Sequence, residues 1–211
     1  MKETIIFDFD GTIADTFPVI VRIFYQLTKR TDPFTYDEEE RLRSLSLLSV
    51  AAKLRIPLWR VPFLLVRGRR IMRQHMRQIE PVKGVPKAIK ALHERGYNLM
   101  VISSNSTENI REFLRLHEID EQIFSNIYGG IGLWSKGRFL RRLARRSAFD
   151  VHHTWYVGDE TRDVVAAKAA GIKSAAVVWG YNSVAALEEQ QPDAIVLEPQ
   201  DLLAIISGKA I

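Results

Sequence analysis

Residues 4–12 read Thr4-Ile5-Ile6-Phe7-Asp8-Phe9-Asp10-Gly11-Thr12 and are the most informative segment of the chain. Its apolar first half predicts a short buried strand, and two acids follow that strand two positions apart. Residues two apart on an extended segment face the same side, so Asp8 and Asp10 are presented together. Gly11 permits an unusual turn directly after them. Because ligands of open α/β sheets bind beyond the carboxyl ends of the strands, we expect a functional site here.

From residue 82 onward, helix-like and strand-like patterns alternate along the chain. Residues 83–95 illustrate the helical kind, with apolar side chains at i, i+3, i+4 and i+7 from Val85 and a stop at Gly96. The predicted strands are residues 4–7, 99–102, 127–128, 154–157, 174–179 and 194–197. This alternation predicts an α/β protein with a Rossmann-like parallel sheet that helices cover on both faces.

Residues 16–80 interrupt the alternation, because they contain no convincing strand. The helix-like stretches in this segment are residues 18–29, 37–54 and 58–77. The sequence Pro-Val-Lys-Gly at 81–84 marks the return to the sheet. We therefore expect a sheet core made of residues 1–15 and 82–211, with residues 16–81 forming a small α-helical cap inserted after the first strand.

The composition is that of an ordinary globular protein, with one unusual number. The chain has 211 residues, of which 46% are apolar and 26% charged, and these values exclude intrinsic disorder and a collagen repeat. The absence of cysteine excludes disulfides, thiolate nucleophiles and iron–sulfur clusters. The net charge is +5, and it is concentrated in residues 16–80, which hold 13 Lys and Arg against 6 Asp and Glu. A basic segment of this kind attracts anionic partners.

The sequence also narrows the class of partner. The apolar run at the start is too short for a signal-peptide core, and the longest runs, such as 61–66, are far below membrane-spanning length. We therefore expect a cytoplasmic protein with no membrane partner. Arginines recur at helical spacing at 138, 141, 142 and 145, but aromatic residues are not interleaved with basic ones. Nucleic acid is accordingly not the expected partner.

A second group of acids follows a later strand. The predicted strand 154–157 ends in Gly158-Asp159-Glu160-Thr161-Arg162-Asp163. If the two strands are neighbours, four carboxylates converge: Asp8, Asp10, Asp159 and Asp163. Such a cluster repels itself unless a cation neutralises it, and Mg²⁺ prefers carboxylates together with water and phosphate oxygens. The sequence thus predicts a magnesium site, whereas Glu160 and Arg162 are expected to be surface residues of a first helical turn.

Two other strand ends supply groups suited to phosphate. After the strand 99–102 come Ser103, Ser104 and Asn105, whose hydroxyl, amide and backbone N–H donors precede a helix N-terminus. This arrangement is a natural phosphate cradle. Lys136 follows the strand at 127–128 and can neutralise a phosphate or orient a carboxylate.

Taken in order, these motifs resemble those of the haloacid dehalogenase superfamily. The matching residues are Asp8-Phe9-Asp10-Gly11-Thr12, Ser103, Lys136, and Gly158-Asp159 with Asp163. The resemblance is closest to phosphoglycolate phosphatase-like members and includes the stretch Trp179-Gly180-Tyr181-Asn182-Ser183. One departure is Lys136-Gly137, where many members have Lys-Pro. The insertion point after the first motif is similar to that of a helical cap.

The resemblance implies a phosphomonoester hydrolase. It implies that Asp8 attacks phosphorus to give an aspartyl-phosphate, and that Asp10 protonates the leaving group and then activates water. It places Mg²⁺ on Asp8, the Asp10 backbone carbonyl and Asp159, with Asp163 supporting the metal's water shell or Lys136. Ser103 and Lys136 would bind the phosphoryl group, with further help from Gly11, Ser104 and Asn105.

The expected substrate is a small phosphorylated metabolite, with phosphoglycolate as the first candidate by resemblance. Three alternatives stay open. They are a phosphosugar mutase of the same fold, a phosphatase of nucleic-acid ends, which the basic segment would suit, and a catalytically silent binding protein. The Asp8 and Asp10 pair argues against the last of these. The chain is expected to act as a monomer or a homodimer.

Overall fold

The architecture is a six-stranded parallel sheet flanked by helices, as the alternating pattern predicts. The structure, a computed structural model, describes residues 3–28, 32–35, 37–38, 57–132 and 135–208. The strands are β1 Thr4–Phe7, β2 Asn98–Ile102, β3 Phe124–Tyr128, β4 Thr154–Gly158, β5 Lys173–Val177 and β6 Ala194–Val196. Every strand pair is parallel. The sheet is therefore the Rossmann-like α/β sheet expected from the sequence.

The helices fill the intervals between the strands. Their bounds are α1 Phe17–Thr28, α2 Val61–Gln74, α3 Val85–Glu94, α4 Thr107–Leu116, α5 Lys136–Arg145, α6 Thr161–Ala170, α7 Val184–Glu189 and α8 Leu202–Ile206. Short 3₁₀ turns flank α2 at Leu58–Arg60 and Met76–Gln78. Among the described residues, no helix is both long and apolar enough to cross a membrane.

The order of the strands determines where a ligand can bind. Across the sheet the order is β3-β2-β1-β4-β5-β6, so the chain first builds outward on one side of β1 and then on the other. Beyond the carboxyl ends of β1 and β4 the connections diverge to opposite sides and leave a crevice. The first acidic motif follows β1 and the second follows β4, so both motifs lie at this crevice.

Two apolar layers cover the sheet. Successive strand residues face opposite sides, so Ile5 and Phe7 join one layer while Ile6 joins the other. The first layer includes the buried faces of α3, α4 and α8, and the second those of α5 and α6. Because both faces of the sheet are covered, the strands are nearly continuous apolar runs, as is typical of parallel sheets.

The described part of the segment between β1 and α3 is mainly helical. Helices α1 and α2 contact each other, and Val19, Met72 and Met76 join the first apolar layer. Apart from its first two positions, the predicted helix 37–54 lies outside the described residues. The segment's two ends are paired: Asp15 N–H donates to Glu80 O over 2.9 Å, and Ala14 forms an antiparallel bridge with Pro81.

Candidate active site

Two buried carboxylates occupy the crevice at the carboxyl ends of β1 and β4. Asp8 follows β1 directly, and its N–H continues the sheet ladder by donating to Val157 O over 2.9 Å. Asp159 follows β4 in the same way, and both side chains are buried. Because β1 and β4 are neighbours in register, the two acids are brought together although 150 residues separate them. The expected convergence of the motifs is therefore observed for this pair.

Lys136 connects two of the acids. Its Nζ atom donates to Asp8 Oδ2 and to Asp163 Oδ1, each over 2.6 Å, and all three side chains are buried. Burial alone would lower the pKa of Lys136, but Asp163 and Asp8 together raise it well above its usual value. The side chain is therefore positively charged near neutral pH, and its role of orienting a carboxylate stays a prediction. It enters the site as the first residue of α5.

The acids outnumber this cation. Carboxylate oxygens of Asp8, Asp159 and Asp163 lie within 4.8 Å of one another. Burial, Glu160 and the two other acids raise the pKa of Asp159 well above its usual value. Burial also raises the pKa of Asp163, to about 7, despite Lys136. The three carboxylates are hard oxygen ligands, and one lysine neutralises only part of their charge. This set of ligands fits a divalent cation such as Mg²⁺.

Asp10 stands apart from this triad. Its Oδ1 atom accepts a hydrogen bond from Asn105 Nδ2 over 3.0 Å. Burial and the neighbouring charge of Asp8 raise the pKa of Asp10 to about 7. A carboxyl group with this pKa can both give and take a proton near neutrality. Of the four acids predicted to converge, three form the triad through their side chains; the Asp10 carbonyl as a metal ligand stays a prediction.

The loop after β2 is tightly ordered by its own polar groups. Ser103 is buried, and its Oγ atom accepts a hydrogen bond from Asn105 N over 3.1 Å. The Asn105 Oδ1 atom accepts hydrogen bonds from Ser106 N and Asn109 Nδ2, each over 2.9 Å. Ser106 caps α4, and Ser104 is half-buried in the same turn. The loop thus lies before a helix N-terminus as expected, and Asn105 has a contact with Asp10 that spacing did not reveal.

Asp159 is held by two residues that are not among the predicted site residues. Thr12 Oγ1 donates to Asp159 Oδ1 and Tyr181 N–H donates to Asp159 Oδ2, each over 2.7 Å. Gly11 has a φ of +76°, and a Cβ atom there would lie 2.2 Å from Asp159 Oδ2. Only glycine fits this turn. The available signals were the position of Thr12 within the first motif and of Tyr181 within the stretch 179–183.

Glu160 and Arg162 are not the surface residues that were expected. Glu160 and Asp163 form a capping box at the start of α6, and Glu160 N–H donates to Asp163 Oδ2 over 3.2 Å. The guanidinium of Arg162 pairs with the Glu160 carboxylate, and their side chains are only 25% and 16% exposed. The physical reason is local, because the acidic end of α6 lies against the buried triad.

Comparisons with known proteins agree with the motifs. The sequence profile of the haloacid dehalogenase-like hydrolases matches residues 5–177. A phosphoglycolate phosphatase from Synechococcus elongatus is 34% identical over 210 residues, which cover 97% of each chain. The pyrophosphatase PpaX from Halalkalibacterium halodurans is 24% identical over 213 residues, which cover 99% of this chain and 98% of its own.

A solved structure extends the similarity to the fold. A haloacid dehalogenase-like family hydrolase from Streptococcus pneumoniae superimposes with a TM-score of 0.78 at 20% identity, covering 97% of this chain and 98% of its own. Identity this low supports the fold alone. The profile match and the 34% identical relative extend over most of the sequence. The chain therefore belongs to the haloacid dehalogenase-like hydrolase family, as an enzyme of the phosphatase kind.

Proposed function

We propose that this enzyme is a Mg²⁺-dependent phosphomonoesterase that acts on a small phosphorylated metabolite through an aspartyl-phosphate on Asp8. The observation that carries the proposal is the division between two neighbouring acids. Asp8 is bound to the ammonium of Lys136, whereas Asp10 is held by an amide and has a pKa of about 7. One acid is thus placed as a nucleophile and the other as a proton carrier.

In the first half-reaction, a carboxylate oxygen of Asp8 forms a bond to phosphorus, and the bond from phosphorus to the substrate's ester oxygen breaks. The protonated Asp10 carboxyl gives its proton to that departing oxygen. Asn105 donates to Asp10 Oδ1, which keeps the carboxyl directed at one place. The products of this step are a free alcohol, a phosphorylated Asp8 and an ionised Asp10.

In the second half-reaction, Asp10 removes a proton from a water molecule as that water attacks the phosphorus of the aspartyl-phosphate. The bond from phosphorus to Asp8 breaks, and inorganic phosphate and the free carboxylate are restored. Asp10 ends protonated and ready for another cycle. Its pKa of about 7 suits both directions of transfer.

The polar residues of the site also bind the metal ion and orient the phosphoryl group. Asp8, Asp159 and Asp163 would hold Mg²⁺, with the Asp10 carbonyl as a further ligand. The bound ion would supply positive charge that offsets the repulsion between carboxylate and phosphate and polarises the phosphoryl oxygens. Lys136 contributes a second positive charge next to Asp8, and the hydroxyl of Ser103 and the remaining donors of Ser104 and Asn105 bind phosphoryl oxygens. Gly11 does not have the predicted phosphate-binding role, because its N–H donates to Ala14 O over 2.9 Å.

Phosphoglycolate is the first substrate candidate, because a phosphoglycolate phosphatase is 34% identical over nearly the whole chain. Pyrophosphate, an anhydride whose leaving group is phosphate instead of an alcohol, is the second, since the PpaX pyrophosphatase matches over a similar length at 24% identity. Both are small compounds with a second negatively charged group. The 16–80 segment, with its excess of basic residues, favours such anionic substrates.

The test is a phosphate-release assay over a panel of phosphorylated metabolites, run with Mg²⁺ and with a chelator. We expect Mg²⁺-dependent release from phosphoglycolate or pyrophosphate, and loss of at least about 1,000-fold in Asp8→Asn, because the amide cannot replace the nucleophile. Radiolabelled phosphate should remain on denatured wild-type protein but not on the variant. Equal release by wild type and Asp8→Asn would rule out the proposal.

A further inference from the structure

Tyr181 contacts three parts of the active site at once. Its backbone N–H donates to Asp159 Oδ2 over 2.7 Å. Its ring covers the turn after β1 so closely that a Cβ atom on Gly11 would lie 2.7 Å from Tyr181 Cδ2. Its hydroxyl group is hydrogen-bonded to Thr16 Oγ1, and its ring lies against that of Phe17 with centroids 5.8 Å apart. One residue therefore joins a metal-site acid to the start of α1.

These contacts belong to a closed network of hydrogen bonds around Asp159. The turn that follows β1 reaches Asp159 through Thr12, whose Oγ1 atom donates to Asp159 Oδ1 over 2.7 Å. The loop after β5 reaches the same acid through Tyr181 N–H. The turn and the loop are also joined directly, by Trp179 Nε1 donating to Thr12 O over 3.1 Å and by the pair of Tyr181 and Thr16. Both oxygens of Asp159 are thus fixed by segments that hold each other.

At Thr16 this network reaches the point where the chain leaves the sheet core. Thr16 is buried and immediately precedes α1, whose first turn it begins by accepting a hydrogen bond from Ile20 N over 2.9 Å. The outgoing and returning chains are paired here by Asp15 N–H to Glu80 O and by Val82 N–H to Ile13 O, each over 2.9 Å. A rotation of the inserted helices about this paired connection would act first on Thr16 and Phe17.

We propose that Tyr181 is a positioning residue that links the placement of the inserted helices to the orientation of the metal ligand Asp159. The link deepens the proposed function, since it rests on Asp159 holding Mg²⁺. When α1 is seated on Tyr181, both Asp159 oxygens are held in place for the ion. By thermodynamic reciprocity, a bound ion then favours the seated position of α1. Metal binding and the position of the helices that approach the substrate become mutually dependent.

The test removes the hydrogen bond between the Tyr181 and Thr16 hydroxyl groups, from one side or the other. Tyr181→Phe keeps the ring and the backbone donor, and Thr16→Val keeps the shape of the side chain. Titration calorimetry with Mg²⁺ alone should show an affinity about three- to tenfold weaker in each variant, the range expected from one buried hydrogen bond. The double variant should be no weaker than either single one, because all three lack the same bond. Tyr97→Phe, at the opposite end of the sheet, should bind Mg²⁺ like wild type.

A second measurement reads the inserted helices directly. Mg²⁺ should slow amide hydrogen exchange in α1 of the wild type several-fold, and should leave it unchanged in Tyr181→Phe. The link is overturned if Mg²⁺ affinity and the α1 response are the same in wild type, Tyr181→Phe and Thr16→Val. That result would leave the proposed function intact if wild type still released phosphate with Mg²⁺. Failure of phosphate release together with normal Mg²⁺ binding would instead count against the proposed function.

Discussion

Asp10 is the residue whose assigned role makes the sharpest kinetic prediction. If it protonates the departing oxygen, Asp10→Asn should lower kcat/KM at least about 100-fold for an alkyl phosphate. The loss should be about tenfold or less for p-nitrophenyl phosphate, because that leaving group needs no proton. The measurement is kcat/KM for both substrates in wild type and variant at saturating Mg²⁺, because this ratio reports formation of the aspartyl-phosphate and is independent of its later hydrolysis, in which Asp10 also acts. Equal losses for the two substrates would contradict the role of proton donor.

The same carboxyl group should make the stability of the metal-free protein depend on pH. Burial and nearby charges raise the pKa of Asp10 and of Asp163 from the ordinary value near 4 to about 7. Between these values the folded chain binds more protons than the unfolded one, so the free energy of unfolding falls as pH rises. Urea unfolding in a chelator from pH 5.5 to 7.5 should show this decline.

Two controls accompany the pH experiment. Asp10→Asn should reduce the slope, since it removes one of the titrating groups. Saturating Mg²⁺ should flatten or reverse the slope, because the ion binds ionised carboxylates and competes with protons. A metal-free stability that rises with pH over this range would show that the acids are not held at raised pKa values.

The acids could be located from sequence because each follows a strand, and strand ends meet at one edge of a parallel sheet. Tyr181 could not be located in that way. Its contact with Asp159 uses a backbone N–H, which every residue except proline carries, and its hydroxyl partner Thr16 is 165 positions away. Long-range contacts of this kind depend on how loops pack and leave no periodic pattern in the sequence.

Among the helices, α5 differs from many family members at one position, and the effect of this difference on stability can be tested. Gly137 is its second residue, where many family members have proline. A Cβ atom there would lie 3.4 Å from Ala166 Cα and Ala169 Cβ of α6, a contact that small adjustments accommodate. Gly137→Ala should therefore raise the free energy of unfolding by about 0.5–1 kcal/mol, because it removes backbone freedom from the unfolded chain.

The matched control for this prediction is Gly96→Ala. Gly96 has open space around it but a φ of +83°, which strains any residue with a Cβ atom. This change should lower the free energy of unfolding by about 1 kcal/mol. Urea unfolding of both variants is the measurement. If Gly137→Ala also lowered the free energy of unfolding, α5 and α6 would lie closer together than these distances indicate.

The elements themselves followed well from periodicity, and their ends less well. The strand predicted at 127–128 extends back to Phe124, because its exposed residues Ser125 and Asn126 hide it from an apolar pattern. The pattern predicts a strand over residues 174–179, yet β5 ends at Val177 and the chain then turns. Exposed edges and turns next to strands depend on neighbouring segments, and a local pattern does not record those.

At the scale of the whole molecule, the distribution of charge predicts an effect of salt. The net charge of +5 arises from the 16–80 segment, which has an excess of seven basic residues. If that segment draws anionic substrates toward the site, kcat/KM should fall several-fold between about 10 and 200 mM salt, while kcat stays constant. Steady-state kinetics with phosphoglycolate measure both quantities.

Two triple variants show which arginines matter for this effect. Arg70, Arg73 and Arg77 are exposed on the 16–80 segment, whereas Arg138, Arg141 and Arg145 are exposed along α5 of the core. Changing the first three to Gln should flatten the salt dependence more than changing the second three, although the loss of charge is the same. A wild-type kcat/KM that is independent of salt would reduce the basic segment to an ordinary solvated surface.

The pairing of Asp15 with Glu80 and of Ala14 with Pro81 also has an evolutionary consequence. The two ends of the 16–80 segment are held side by side by these backbone contacts. Loop closure then depends only weakly on length, and each doubling adds about 0.6 kcal/mol. We therefore expect changes of length within residues 16–80 to leave the pairing of the strands unchanged. Natural selection can thus vary the insert while the chemistry beneath it is inherited unchanged.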